Sequence, residues 1–229
     1  MRYDTLLFDL DHTLLDSFAS EQAAFRAAMD VVGVDDPHKY FTGYEEINHE
    51  LWAAVERGEM HVDDVKVTRF ERFVEHFGFE GDPVEMAEAF VHGLGSNGEL
   101  FPGVLDVLDA LRNRATMVLV TNGVSQVQRM RVDRLRLEHY FPTIAISGEL
   151  DFAKPDPRIY EWVDSQLGGM DKDAALMVGD STSSDMQGGA NFDIATAWYN
   201  PFHKPRPESP PITHEFHAFD ELLGIVGID

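Results

Sequence analysis

The chain has 229 residues, 44 % of them hydrophobic, which is enough for a buried core and too many for wholesale disorder. It contains no cysteine, which excludes disulfides, thiolate metal sites and a cysteine nucleophile. Eighteen Lys and Arg stand against 41 Asp and Glu, and the net charge of -23 repels nucleic-acid phosphates and anionic membranes. No uncharged apolar run is long enough to span a bilayer. The opening Met1-Arg2-Tyr3-Asp4 leads straight into an apolar segment without a signal-peptide pattern, so a cytoplasmic protein is expected.

Residues 5–10 form a short apolar run ending on a carboxylate and predict a buried strand. A helix follows, with Ser17 as its expected cap and Gly33 as its stop. Further helices are expected over 45–57, 62–77 and 83–94, stopped by Gly58, by Gly78 and by Gly93 and Gly95. After Phe101-Pro102-Gly103 strands and helices alternate. Strands are predicted over 116–120, 143–146, 175–178 and 194–199, and helices over 104–112, 125–137, 157–167 and 184–190. The Pro-rich stretch 201–211 predicts a rigid surface connection, and 219–226 a closing helix. Alternation of this kind implies a parallel sheet, to which the first strand also belongs. The expected organisation is therefore an α/β core, residues 1–16 and 98–229, with a helical insertion over 17–97.

In an open α/β sheet the ligand site lies off the carboxyl ends of the strands. The first strand ends in Asp9-Leu10-Asp11-His12-Thr13 and the second in Thr121-Asn122-Gly123. Lys154-Pro155 follows the third after a loop, and Gly179-Asp180-Ser181 with Asp185 follows the fourth. Clustered carboxylates raise one another's pKa unless a cation compensates. Carboxylates, a lysine, hydroxyls and helix-start N–H groups suit a phosphate and a hard divalent cation such as Mg²⁺. Asp9 and Asp180 are the expected side-chain metal ligands, with the Asp11 backbone carbonyl as a third.

Four motifs in this order, Asp9-x-Asp11-x-Thr13, Thr121-Asn122, Lys154-Pro155 and Gly179-Asp180-x4-Asp185, resemble those of the haloacid dehalogenase-like superfamily of hydrolases. The resemblance implies a Rossmann-like, doubly wound core with an all-α cap inserted after the first strand. It also implies roles: Asp9 as nucleophile, Asp11 as acid and base, Thr121 and Lys154 as further catalytic residues, and Asp180 with Asp185 on the metal. Thr13, Asn122, Gly123 and Arg69 are expected to bind substrate. His12 departs from the small or acidic residue often found there and is expected to affect access or pH response. The strings Asn48-His49-Glu50-Leu51-Trp52, Val67-Thr68-Arg69-Phe70, Thr121-Asn122-Gly123-Val124-Ser125 and Trp198-Tyr199-Asn200-Pro201 look like the pyrimidine 5'-nucleotidase branch, and imply nucleoside monophosphates as substrates. A phosphatase for small sugar phosphates or phosphoglycolate is the alternative. A dehalogenase, a phosphomutase and a non-enzymatic binding module remain as rivals.

Each assignment has a plainer counterpart. Thr121 and Asn122 also suit a helix cap, and Asp185 also suits a helix N-terminus. Trp52 and Phe70 fit a helix core as well as a substrate wall, and Arg69 fits a solvated face. The ten histidines show no zinc spacing. Only five of the eighteen basic residues are lysine, a pattern resembling salt-adapted proteins, with an ordinary acidic cytosolic protein as the other reading. The expected partner is a small phosphate ester, not nucleic acid or membrane. Oligomeric state is not readable from these features.

Overall fold

A computed structural model of the chain describes residues 1–228. In chain order the elements begin with β1 (Thr5–Phe8), β2 (Leu15–Asp16), α1 (Phe18–Val31), α2 (His38–Glu56), α3 (Val62–Phe77), α4 (Pro83–Ser96) and β3 (Glu99–Leu100). Then come α5 (Val104–Leu111), β4 (Thr116–Thr121), α6 (Ser125–Arg134), β5 (Thr143–Ile146), α7 (Pro157–Leu167) and β6 (Ala175–Gly179). The chain closes with α8 (Gln187–Asn191), β7 (Ala195–Tyr199), β8 (His214–Phe216) and α9 (Glu221–Val226).

Six strands form one sheet in the order β5-β4-β1-β6-β7-β8, every neighbouring pair parallel. Period-two alternation splits the apolar residues of β1 between two layers. Leu6 and Phe8 pack with α5 and α9 residues such as Leu108 and Leu222, while Leu7 packs with Ile159, Tyr160 and Val163 of α7. Burial on both faces explains why these strands read as continuous apolar runs. The chain winds outward from β1 to β4 and β5, then crosses back to β6, so the winding reverses beside β1. Such a reversal opens a crevice at the strand carboxyl ends.

Between β1 and β4 the chain leaves the sheet. The short antiparallel pair of β2 and β3 carries it into and out of a separate helical region, α1 to α4. That region has its own aromatic core, in which Phe25, Tyr44, Phe70, Phe73 and Phe90 are fully buried, with Phe25 and Tyr44 ring centroids 4.8 Å apart. A second apolar contact joins the helical region to the sheet domain through Leu51, Val55, Val65 and Val91 on one side and Val124, Val127 and Ala153 on the other.

The elements follow the sequence pattern with informative exceptions. α2 begins at His38 instead of 45, because Tyr40, Phe41 and Tyr44 turn into the aromatic core. α4 runs on to Ser96, past its expected stop at 94. Its Gly93 is a packing contact with α1, since a Cβ there would lie 2.6 Å from the Ala24 Cα. The helix expected over 125–137 ends at Arg134. The helix expected over 184–190 is a single π turn, Thr182–Met186, continued by α8. β8 was not expected. Three residues after a Pro-rich run carry too little pattern, and β8 forms by pairing His214 to Phe216 with Ala197 to Tyr199.

Candidate active site

Asp9 follows β1 directly, and its backbone N–H donates to the Val178 carbonyl at 3.0 Å, which ties it to the end of β6. Lys154, 1 % exposed along its side chain, donates from Nζ to Asp9 Oδ1 and to Asp185 Oδ1, each at 2.6 Å. Asp185 reaches inward from the π turn, and its other oxygen accepts from the Ser181 N–H at 3.0 Å. That reach depends on Gly179, because a Cβ there would stand 2.2 Å from Asp185 Oδ2.

Oxygen atoms of Asp9, Asp180 and Asp185 lie within 4.8 Å of one another. Burial raises the pKa of Asp9, with Lys154 opposing and the charges of Asp185 and Asp11 adding to the rise. Asp180 is raised well above the carboxylate range, first by burial and then by Asp185 and Asp9. Burial disfavours the Lys154 ammonium, but Asp185 and Asp9 outweigh it and hold that pKa above the ordinary lysine range. Fully ionised, three carboxylates against one ammonium would place two negative charges in a buried place. This all-oxygen donor set with residual charge fits Mg²⁺.

The Asp11 carboxylate faces elsewhere. It accepts from Arg131 Nη1 at 2.5 Å, from Gln128 Nε2 at 2.7 Å and from the Ser17 hydroxyl. Burial pushes its pKa up, but Arg131, Ser17 and Gln128 prevail and hold it below the ordinary carboxylate value. Among its groups, the backbone carbonyl is what remains for a cation, the role expected from the sequence. Ser17 does stand at the start of α1, but its hydroxyl makes no cap bond. It is spent on Asp11, which is a correction to the expected cap.

The remaining expected residues fall in distinct places. Thr121 is fully buried, and its hydroxyl accepts from Gln128 at 2.8 Å. Asn122 spends both ends of its amide on the Lys154 backbone, at 2.8 and 2.9 Å, and so positions that lysine. The Gly123 N–H is taken by Ser147 Oγ at 3.0 Å. Thr13 is fully buried, and its hydroxyl has no partner among the described residues. Arg69 lies in the helical region, 4 % exposed, in the wall of a cavity.

That cavity, of 250 Å³, lies between the sheet domain and the helical region. Asp11, Gln128 and Arg131 stand on one side of it, and Asn48, Trp52 and Arg69 on the other. Trp52 is therefore a wall residue, whereas Phe70 belongs to the aromatic core. His12 borders this cavity and also a second one, of 270 Å³, whose wall includes Asp180 and Lys204. Its backbone sits in the left-handed region with φ 59, a conformation histidine adopts more readily than bulky residues.

Sequence reasoning missed Arg131, Gln128, Glu21 and Asn48. The first two had a usable signal: they lie three residues apart on the helix that leaves the Thr121 strand end, hence on one face. Asn48 opened one of the strings that resemble the nucleotidase branch, without a role assigned to it, and Glu21 had no signal, since helical charges ordinarily face water. Glu56 of α2 was also missed; it accepts from Ser183 at 3.2 Å and joins the helical region to the loop carrying Asp185.

Residues 6–199 match the haloacid dehalogenase-like hydrolase family. Over 224 residues the chain is 37 % identical to the pyrimidine 5'-nucleotidase PynA of Streptococcus pneumoniae, covering 97 % of this chain and 94 % of that one. Over 228 residues it is 33 % identical to the pyrimidine 5'-nucleotidase YjjG of Escherichia coli, covering 97 % and 99 %. The crystal structure of YfnB from Bacillus subtilis bound to magnesium superimposes with a TM-score of 0.90 at 32 % identity, over the full length of both chains. A matching family over most of the chain, full-length relatives and a parallel sheet with a helical region inserted after β1 agree: the chain belongs to the haloacid dehalogenase-like hydrolases.

Proposed function

We propose that this hydrolase is a Mg²⁺-dependent phosphatase that cleaves pyrimidine nucleoside 5'-monophosphates through a phosphoryl group carried on Asp9. The observation that carries the reaction is the buried Asp9, bonded by Lys154 and grouped with Asp180 and Asp185 at the sheet crevice. Asp9 Oδ attacks phosphorus as the bond to the leaving oxygen breaks, and Asp11 gives that oxygen a proton. Water then attacks phosphorus, its proton passes to Asp11, and Asp9 is released. Arg131, Gln128 and Ser17 favour the ionised Asp11 left by the first step, the form that accepts the water's proton, and that transfer restores the protonated Asp11 which the next first step requires. Lys154 and Thr121 would bind phosphoryl oxygens. Asp9, Asp180, Asp185 and the Asp11 carbonyl would hold Mg²⁺, which supplies charge neutralisation and polarisation of the phosphoryl oxygen.

The pyrimidine specificity is supported by the two nucleotidases that resemble the chain along its length. The cavity beside Asp11 supports it as well, because Trp52, Leu94, Val124 and Val127 offer apolar surface for a flat ring. The test is phosphate release with Mg²⁺ from UMP, dTMP, AMP, phosphoglycolate, sugar phosphates and an aryl phosphate, at low and multimolar KCl. Preference for UMP and dTMP is expected. Preference for phosphoglycolate or a sugar phosphate would keep the Asp9 chemistry and discard the nucleotidase assignment.

A further inference from the structure

The helical region holds a buried cation without a carboxylate of its own. Arg69 donates from Nε to the Val65 carbonyl at 3.2 Å and from Nη1 to the Tyr44 hydroxyl at 3.3 Å, and it lies 4.8 Å over the Phe90 ring. Its Nη2 makes no hydrogen bond, and no carboxylate among the described residues lies within ion-pair distance of it. A buried guanidinium left in this state calls for an acceptor. The Tyr44 hydroxyl in turn donates to Glu21 Oε1 at 3.0 Å, and Asn48 Nδ2 donates to the same oxygen at 3.1 Å. Both bonds fall on Oε1, and Glu21 Oε2 accepts none. Glu21, Asn48 and Arg69 all border the 250 Å³ cavity that reaches down to Asp11.

The arrangement is a fixed acceptor and a fixed donor, joined through Tyr44 and held apart by it. Apolar walls from Trp52, Leu94, Val124 and Val127 flank the same cavity. We propose that Glu21 and Arg69 are the specificity-determining residues for the leaving group, with Glu21 Oε2 accepting from a ring N–H and Arg69 Nη2 donating to the adjacent ring carbonyl. The ligand class is a planar heterocycle with an N–H beside a C=O along one edge. A sugar or a small carboxylic acid offers neither the flat faces nor this edge, and leaves the buried Arg69 and the half-buried Glu21 unanswered. The inference rests on the nucleotidase reading, because it assigns the base of that substrate to the pair.

The experiment compares UMP with 3-methyluridine 5'-monophosphate, in which a methyl replaces the ring N–H, and with ribose 5-phosphate, using the Mg²⁺-loaded protein. The methylated nucleotide is expected to lose on the order of 100-fold in kcat/KM, mainly through KM, because the Glu21 acceptor is left unpaired and the added methyl must be accommodated against it. In Glu21→Gln the amide oxygen still receives Tyr44 and Asn48, and the discrimination between the two nucleotides is expected to fall to within about threefold, since the amide nitrogen then stands where Oε2 did and offers the ring N–H no acceptor. Equal turnover of UMP and its 3-methyl analogue by the parent, or full discrimination retained in Glu21→Gln, overturns the assignment. If ribose 5-phosphate is turned over as well as UMP, the nucleotidase reading fails and this inference fails with it. UMP preferred over ribose 5-phosphate but equal to its methylated analogue removes this inference alone.

Discussion

Arg131 and Asp11, both of the sheet domain, meet at 2.5 Å beside its junction with the helical region. The same guanidinium donates to the Leu94 carbonyl of α4 at 3.2 Å and to the Ser20 hydroxyl of α1 at 3.3 Å. One side chain of α6 thus holds the expected acid–base residue and two helices of the inserted region together. Asp11 and the helical region therefore share one guanidinium.

The first prediction follows from that pair. Arg131→Met is expected to destabilise the protein by about 2 kcal/mol, below the roughly 3–5 kcal/mol of a fully buried pair, because Asp11 keeps access to the cavity. Urea denaturation measures it. An unchanged midpoint and slope would mean that the pair contributes nothing to stability.

Asp9→Asn tests the nucleophile. The amide is a poor nucleophile, and kcat is expected to fall by at least about a thousandfold while circular dichroism remains that of the parent. Activity within tenfold of the parent would remove the phosphoryl-Asp9 step.

Chelation tests the metal assignment with two readouts. EDTA is expected to abolish phosphate release, and added Mg²⁺ to restore it. At a hundred times its dissociation constant the ion is also expected to stabilise the fold by about 2.7 kcal/mol. Asp180→Asn should lose most of that gain in a thermal melt. An equal gain in parent and variant would place the ion elsewhere.

His214 gives a prediction in pH. Its Nε2 lies within hydrogen-bond distance of the Tyr3 hydroxyl, at 2.9 Å, and burial together with Arg2 holds its pKa below the ordinary 6.5. The folded state therefore binds this proton more weakly than the unfolded state. The contribution is present above the unfolded pKa and is lost as pH falls through it. His214→Gln keeps an acceptor for Tyr3 and is expected to lose less stability than the parent between about pH 7.5 and 5.5. Parallel curves for parent and variant would contradict the assignment.

Much of the sheet and its chemistry was legible in one dimension. A strand buried on both faces reads as an unbroken apolar run, and a residue that follows it must arrive at the strand's carboxyl end. This is why Asp9, Thr121 and Asp180 could be assigned to one rim, with Lys154 joining it through a loop. The helical block was legible because helical spacing persists without alternation between α1 and α4. Glu21, Asn48, Gln128 and Arg131 were a different matter. Their chemistry depends on which helix faces which, and the three-residue spacing of Gln128 and Arg131 marks a shared face without marking its partner. Ser17 illustrates the limit: local pattern makes it a cap, while tertiary packing brings Asp11 within reach of its hydroxyl. The chain by itself determined which carboxylates, hydroxyls and lysine reach the carboxyl ends of the strands, because backbone periodicity delivers them to a common edge. Only the folded structure decided that Arg69 is a buried cation facing Glu21 through Tyr44, because that relation arises when α1, α2 and α3 close around one aromatic core.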